Sequence, residues 1–452
     1  MVMIDWMSFG MTIVVFPLLL LEQVFNGDVA MASYWNGFIG GLQVVLMFLF
    51  GPVWGTMSDA HGRKQFLVLC CAAATLYYGL NLFAFVHWLP GPALWYVFAA
   101  AVIKGTFFMT QTFENAAVVD LSVPSERGAA LALNGAMLGL GLISGSLMSV
   151  GLGTLMAHAA PYLVASLFSA LMLVALVFFQ ETLRADSRVP FSWAEANPIA
   201  SLKWLLCTPL AWIPVSMYWF VNLIGAAFLA SWILWSNVKF KLDTVHQSLC
   251  IFDAGLASAL MQTLGMRFLM PLMGERALIM SAIALKGIVC FGMIMAPAND
   301  SAITYVLLHS LSGLFGVSMV SVPLIQALIS HRVLPSEQGR LLAATESSRL
   351  TSEAVGQFGT TALFAYCYSL PATSFFHTTD AHLWFALGCV AICLVISFYG
   401  FFRHEDALFG HAKHSAGERH DRTEEKHAKP KSVVSFLRTL MKPPFVKETL
   451  KV

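Results

Sequence analysis

Residues 55–64 read Gly55-Thr56-Met57-Ser58-Asp59-Ala60-His61-Gly62-Arg63-Lys64, a short run that holds two glycines, one carboxylate and two strong bases. It stands between two apolar runs, at 34–56 and 65–88, each long enough to cross a bilayer as a helix, which takes about 20 residues. A charged turn between two such runs belongs at a membrane surface. There Gly55 would let the helices approach closely, and Asp59 could accept from a helix N-terminus or pair with Arg63. Arg63 and Lys64 would hold the turn on the side of the membrane that retains basic loops.

Outward from this turn the pattern repeats along the chain. Apolar runs fall at 3–21, 34–56, 65–88, 93–118, 129–152 and 160–180, then at 209–235, 245–265, 277–296, 302–328, 340–369 and 381–402. The 452 residues are 58% hydrophobic and 11% charged, with a mean hydropathy of +0.72, too little polar surface to cover a water-soluble globule. The runs do not alternate polar with apolar residues, which excludes a closed β-barrel. The expected fold is an all-α membrane protein with twelve transmembrane helices. Arg63, Lys64, Arg127, Arg184, Arg188, Lys203, Arg267, Arg276, Arg332 and Arg340 fall on one side of that topology, with only Lys239 and Lys241 opposite. Both termini are therefore expected to be cytoplasmic. Met1 leads straight into the first run without a basic leader, so no signal peptide is expected. The eight cysteines sit in or beside the runs and make no disulfide framework, and Asn299-Asp300-Ser301 is a sequon on the opposite face.

Two pairs of loops point to a duplication. Val123-Pro124-Ser125-Glu126-Arg127-Gly128 matches Leu334-Pro335-Ser336-Glu337-Gln338-Gly339 at an offset of 211, and Gly62-Arg63-Lys64 matches Gly274-Glu275-Arg276 at 212. Two unlinked loops that agree within one residue predict two six-helix pseudo-repeats. The expected boundaries are a first half over 1–182, a cytoplasmic linker over 183–208, a second half over 209–402, and a largely disordered cytoplasmic tail over 403–452. The tail holds His404, His411, His414, His420 and His427 without cysteine partners or metal-ligand spacing, so no metal and no cofactor is expected.

The Gly55–Lys64 stretch resembles the G-x-x-x-D-R-x-G-R-[KR] loop of the major facilitator superfamily. Asp5-Trp6-Met7-Ser8-Phe9-Gly10, running to Pro17, looks like the first helix of tetracycline/proton antiporters, and that likeness continues at Asp120 to Arg127. Asn36-Gly37 and Phe191–Leu202 resemble the hippocampus-abundant-transcript-like proteins. The likeness covers about residues 1–402. Gly139-Leu140-Gly141-Leu142-Ile143-Ser144-Gly145-Ser146 is similar to the fifth-helix antiporter motif. The chain departs from these patterns at Ala60 and Ala101, where the family has Arg, and at Ser146, where the motif has Pro. The resemblance implies the major facilitator fold and alternating access to a central site lined mainly by helices one, four, seven and ten.

Ionisable residues inside a bilayer are costly, so each is a candidate for function. Asp5, Lys104, Gln111, Glu114, Asp253 and His309 are the candidates for a substrate or proton pathway. Lys104 and Gln111 stand seven apart, which on one continuous helix gives them a common face, expected to look into the cavity. Lys104 could bind an anionic group or partner a neighbouring carboxylate. Asp253 could load and release a proton or form a structural ion pair, and His309 could relay protons or sit as a bonded core residue. Gly55, Asp59, Gly62, Arg63 and Lys64 form the expected cytoplasmic gating loop, and Asp120, Arg127, Glu346, Arg349 and Glu353 the expected structural charge network. Trp232 and Trp235 are expected as interface anchors, and Lys286 to turn inward or snorkel.

No phosphate-cradling glycine loop and no nucleophile–base pair appears, so neither an ATP-driven pump nor an enzyme is expected. The function expected is secondary active transport of a small organic solute, with proton coupling as its possible driving step. The alternative is a transporter-like sensor or trafficking partner. The expected partners are the solute, the lipid bilayer and protons, with no nucleic acid, and the chain is expected to be a monomer.

Overall fold

The computed structural model describes residues 1–122, 127–155, 159–193, 196–208, 211–299, 301–330 and 338–403, all of their regular structure helical. Ten helical segments are long and apolar enough to cross a membrane. One of them, Thr244–Met295, has 52 residues. At 1.5 Å per residue it would extend about 78 Å, more than twice the hydrocarbon core, so it makes two crossings. It turns at Gly274, where φ is 76°. The remaining crossing runs through Gln338–Val355, Gly356–Thr360 and Thr361–Ser369. Its own charges, Glu346, Arg349 and Glu353, together with many hydroxyls, dilute its hydropathy. With these two the crossings number twelve.

In chain order the spans are Val2–Val24, Val29–His61, Arg63–Phe85, Ala93–Leu121, Arg127–Leu155 and Ala160–Phe178. Next come Trp212–Phe240, 244–273, 275–295, Ala302–Ser330, 338–369 and Ala381–Arg403. Between the sixth and seventh lies a short helix, Pro198–Cys207, capped by the Asn197 side chain. Several spans start on side-chain caps, since water at the bilayer face and a short polar residue satisfy the first free N–H groups together. Asp28 accepts from Met31, Asp243 from His246 and Ser301 from Thr304. Met1–Phe401 form one compact unit.

The duplication is written into the backbone. Gly62 and Gly274, 212 residues apart, both take positive φ, and each alone turns one span into the next. Gly105 on the fourth span lies against the Gln43 carbonyl of the second, and Gly316 on the tenth against the Ala254 carbonyl of the eighth. Both members of that contact recur at an offset of 211. The fourth span is broken after Phe107 and resumes at Thr110, and the tenth is broken after Ser318 and resumes at Ser321, again 211 apart. Of the loop pair that suggested the duplication, 123–126 and 334–337 lie outside the described residues, as do Asp300 of the sequon and the histidines of the tail.

Three readings from sequence are corrected here. Gly55 makes no close helix approach, since a Cβ there would meet nothing within 4 Å. Trp232 and Trp235 are core residues: both are buried, and the Trp235 indole donates to Asp380 at 2.7 Å. Asp380 is held there by Lys239, which also donates to the last carbonyls of the ninth span, Met293 and Ile294. The third correction is the break at Phe108–Met109, which puts Lys104 and Gln111 on separate helical pieces and removes their common face.

Candidate functional site

At the end of the bundle that carries the 55–64 turn, Arg63 is the centre of a charge cluster. Its guanidinium meets Asp59 at 2.5 Å, Asp120 at 3.2 Å and the Ser58 hydroxyl at 2.8 Å. Thr182 also donates to Asp120. The N-terminus of the third span is capped by Glu181, which accepts from the Arg63 and Lys64 amides at 2.8 and 3.1 Å. Asp59 does not fill that role. The linker adds a main-chain bond from Val189 to the Asp59 carbonyl. Arg127 begins the fifth span, but its side chain lies outside the described residues.

Burial alone would raise the Glu181 carboxyl, yet the amides of Leu183, Arg63, Lys64 and Thr182 outweigh it and hold the group below the usual carboxylate range. A folded-state value depressed in this way gives support that is present above the unfolded value of about 4.3 and is lost as pH falls through the folded one. At neutral pH the clamp is fully made. Glu181→Gln keeps one acceptor but loses the charge at the helix N-terminus. The expected result is faster proteolysis in the 181–193 linker at pH 7, with the difference from the parent chain narrowing only as pH falls below the unfolded value of about 4.3. Equal cleavage rates at pH 7 would remove Glu181 from the clamp.

Within the first half, Asp5, Lys104 and Glu114 gather around the fourth-span break. The Lys104 ammonium lies 4.5 Å from the Tyr77 ring centre, 5.2 Å from Phe9 and 5.7 Å from Phe108. Its electrostatic partner is Asp5. Asp5 and Glu114 are each 5% exposed, and one oxygen of Asp5 and both of Glu114 have no hydrogen-bond partner. Carbonyls near the break are taken up by side chains, Thr106 by the Trp54 indole at 2.7 Å and Phe107 by the Cys70 thiol at 3.0 Å. Gln111 is exposed and stands apart from the cluster. The first span reaches this site because small residues let it press on the fifth: Gly10 meets Leu142 and Gly145, while Gly141 and Gly145 meet the Met3 and Met7 carbonyls.

In the second half Asp253 on the eighth span and His309 on the tenth form one unit, Oδ2 to Nδ1 at 2.5 Å. Their side chains are 32% and 26% exposed. The other ring nitrogen of His309 lies 3.3 Å from His246, whose ring stacks on Tyr305 at 4.4 Å and 5°. The Cys250 sulfur is 3.8 Å from His309. His246 and Tyr305 were not singled out from sequence; His246 stands seven residues before Asp253, two helical turns, and that spacing was the available signal. On the eleventh span Arg349 lies between Glu346, at 2.5 Å, and Glu353, all on one helix.

At the end of the bundle opposite the 55–64 turn the halves close on each other. Ser33 donates to the Thr361 carbonyl at 3.3 Å and Asn36 to the Ala230 carbonyl at 2.9 Å. Gly37, Gly40 and Gly41 receive Thr361, Gln357 and Phe358, which belong to or adjoin a π turn at Gly356–Thr360. Among the described residues this closure contains no ion pair.

The profile of the Major Facilitator Superfamily matches residues 1–357. Tetracycline resistance protein class E of Escherichia coli is 27% identical over 403 residues, covering 88% of this chain and 93% of that protein. Hippocampus abundant transcript 1 protein of Homo sapiens is 24% identical over 312 residues, 67% of this chain and 60% of that one. Among solved structures, the human organic anion transporter MFSD10 superposes with a TM-score of 0.63 at 20% identity, covering 88% of this chain and 96% of that one.

Proposed function

This chain belongs to the Major Facilitator Superfamily of membrane transporters, and from that premise we propose that it carries a small organic solute by alternating access, driven by protons. The observation that carries this reading is the closure at one end. Two pseudo-repeats meet there through neutral hydrogen bonds, each worth about 0.5–1.5 kcal/mol net, and through glycine contacts. Such an interface can part without stranding a buried charge, so opening and closing stay close in energy. The ionisable groups lie inside the halves, where a carboxylate without partners, such as Glu114, or one bonded to a histidine, such as Asp253, can exchange a proton as the halves rock. By the bias of Lys and Arg, the termini and the 55–64 turn face the cytoplasm, and this conformation is then closed to the outside. The halves are 1–182 and 209–402, joined by the 183–208 linker, and the protein acts as a monomer.

The named relatives point to organic solutes, tetracycline for some and organic anions for another. The test is counterflow in sealed proteoliposomes with labelled tetracycline, an organic anion, a nucleoside and a sugar, after a thermal-shift screen of the purified protein against the same set. At least one compound should raise the melting temperature and exchange across the bilayer. Binding without exchange would favour a sensor over a carrier.

A further inference from the structure

We infer that Lys286, on the ninth span, is a proton-binding site of the second half whose charge state is tied to which end of the transporter is open. The inference rests on the transport reading above. Lys286 is 0% exposed in the middle of an apolar bundle. Its Nζ donates to the Met319 sulfur at 3.6 Å and lies 5.0 Å from the Phe315 ring centre. The ionisable groups that act on it are two thiols, Cys290 on its own helix and Cys393 on the twelfth. Among the described residues no carboxylate is within ion-pair distance. An ammonium in such a place needs a counter-charge or water, and neither a thiol nor a thioether supplies the first.

The duplication says where the water would come from. Phe315 and Met319 stand 211 residues after Lys104 and Phe108, so each half has one lysine against the break in its fourth helix. In the first half the lysine projects from the fourth helix and has Asp5 as its partner. In the second it projects from the third helix of the half and, among the described residues, has no carboxylate partner. Met319, which covers the amine, is itself the first residue of the break, between Ala302–Ser318 and Ser321–Ser330. A tilt of the Ser321–Ser330 piece would lift that cover and hydrate Lys286. Binding of a proton then favours the hydrated conformation over the one described here.

The test needs no known solute. Nitroxide labels at Trp88→Cys and Phe375→Cys, both strongly exposed in end loops of different halves, report the separation of the far end by double electron–electron resonance. The exposed Cys207 is replaced in this background. As pH is lowered from about 9 to about 5, across the range where amines, imidazoles and carboxylates with shifted affinities titrate, the parent chain should move from short to long separations. Lys286→Met, apolar and similar in shape, should fold with equal or higher thermal stability and lose at least two-thirds of that shift. Lys286→Gln is made alongside it. An unchanged titration in either folded variant would overturn the proposal, as would failure of both to fold, which would assign the lysine a structural role. Asp253→Asn, run in parallel, separates the two claims. If it removes the shift while Lys286→Met does not, proton coupling stands and Lys286 leaves it; a parent chain without any shift sinks both.

Discussion

Gly37→Leu should cut transport at least about tenfold and leave the protein folded with its far end held apart. A Cβ at Gly37 would overlap the Thr361 side chain and the Gln357 carbonyl across the interface between the halves, and a backbone carbonyl cannot step aside as a flexible side chain can. Overpacking of this kind costs about 1–3 kcal/mol, and the whole cost falls on the closed state, because a separated interface has room for the leucine. About 1.4 kcal/mol shifts a two-state population tenfold, so the far-end-closed conformation becomes a minor one. Gly41→Leu is expected to do less, since what it meets is the Phe358 ring, which can turn. The check is the far-end separation by spin labels together with the initial rate of exchange in vesicles. A Gly37→Leu protein that exchanges solute at the parent rate would show that this interface does not open in the cycle.

Much of the architecture was legible because a bilayer forces it. Each span had to be a helix of about 20 apolar residues, so the runs at 65–88 and 381–402 fell within a few residues of Arg63–Phe85 and Ala381–Arg403. The offset read from two loop pairs was enough to predict the second copy of a fold, and Gly105 and Gly316 later met their partners at the same offset. The breaks in the fourth and tenth spans were not legible. Neither Phe108-Met109 nor Met319-Val320 contains glycine or proline, and what allows the first break is tertiary: Trp54 and Cys70 take the nearby carbonyls. A helical face drawn through Lys104 and Gln111 assumed a continuity that those two side chains remove.

The partners of charged residues were the least legible feature, because a sequence gives depth along a helix but not rotation against its neighbours. Asp59 and Arg63 are one turn apart and could be paired on paper; Glu181 caps the third span from 118 residues away. Lys239 looked like one of two external bases, yet its partner Asp380 waits at the start of the last span, 141 residues on. Trp235 was drawn into that pair through its indole, which is why a residue near a helix end is buried and not at the lipid interface. Lys104 and Asp253 both lie deep in the bundle, but the first faces Asp5 and the second faces His309.

That last pairing decides the outcome of substituting Asp253. Asn at this position is close in shape to a protonated aspartic acid and can still accept from His309, so the site should behave as if permanently loaded. Exchange of solute, which needs no net proton movement, should persist within about threefold, while accumulation driven by a pH gradient falls about tenfold or more, within the usual range of coupling between two sites. His309→Gln should have the same sense and a smaller effect, because the carboxylate remains. The two changes should be far from additive in a double-mutant cycle, as expected for side chains 2.5 Å apart. Asp253→Asn with Lys104→Met should be additive instead, since the lysine belongs to Asp5 in the other half. Gradient-driven accumulation measured at fixed internal pH, with counterflow on the same vesicles, checks both parts. If Asp253→Asn accumulates solute like the parent chain, the coupling carboxylate lies elsewhere, and Glu114, buried with both oxygens unpaired, is the next to replace. If Asp253→Asn fails to fold, while His309→Gln folds and accumulates normally, the pair is a structural tie between the eighth and tenth spans and carries no proton.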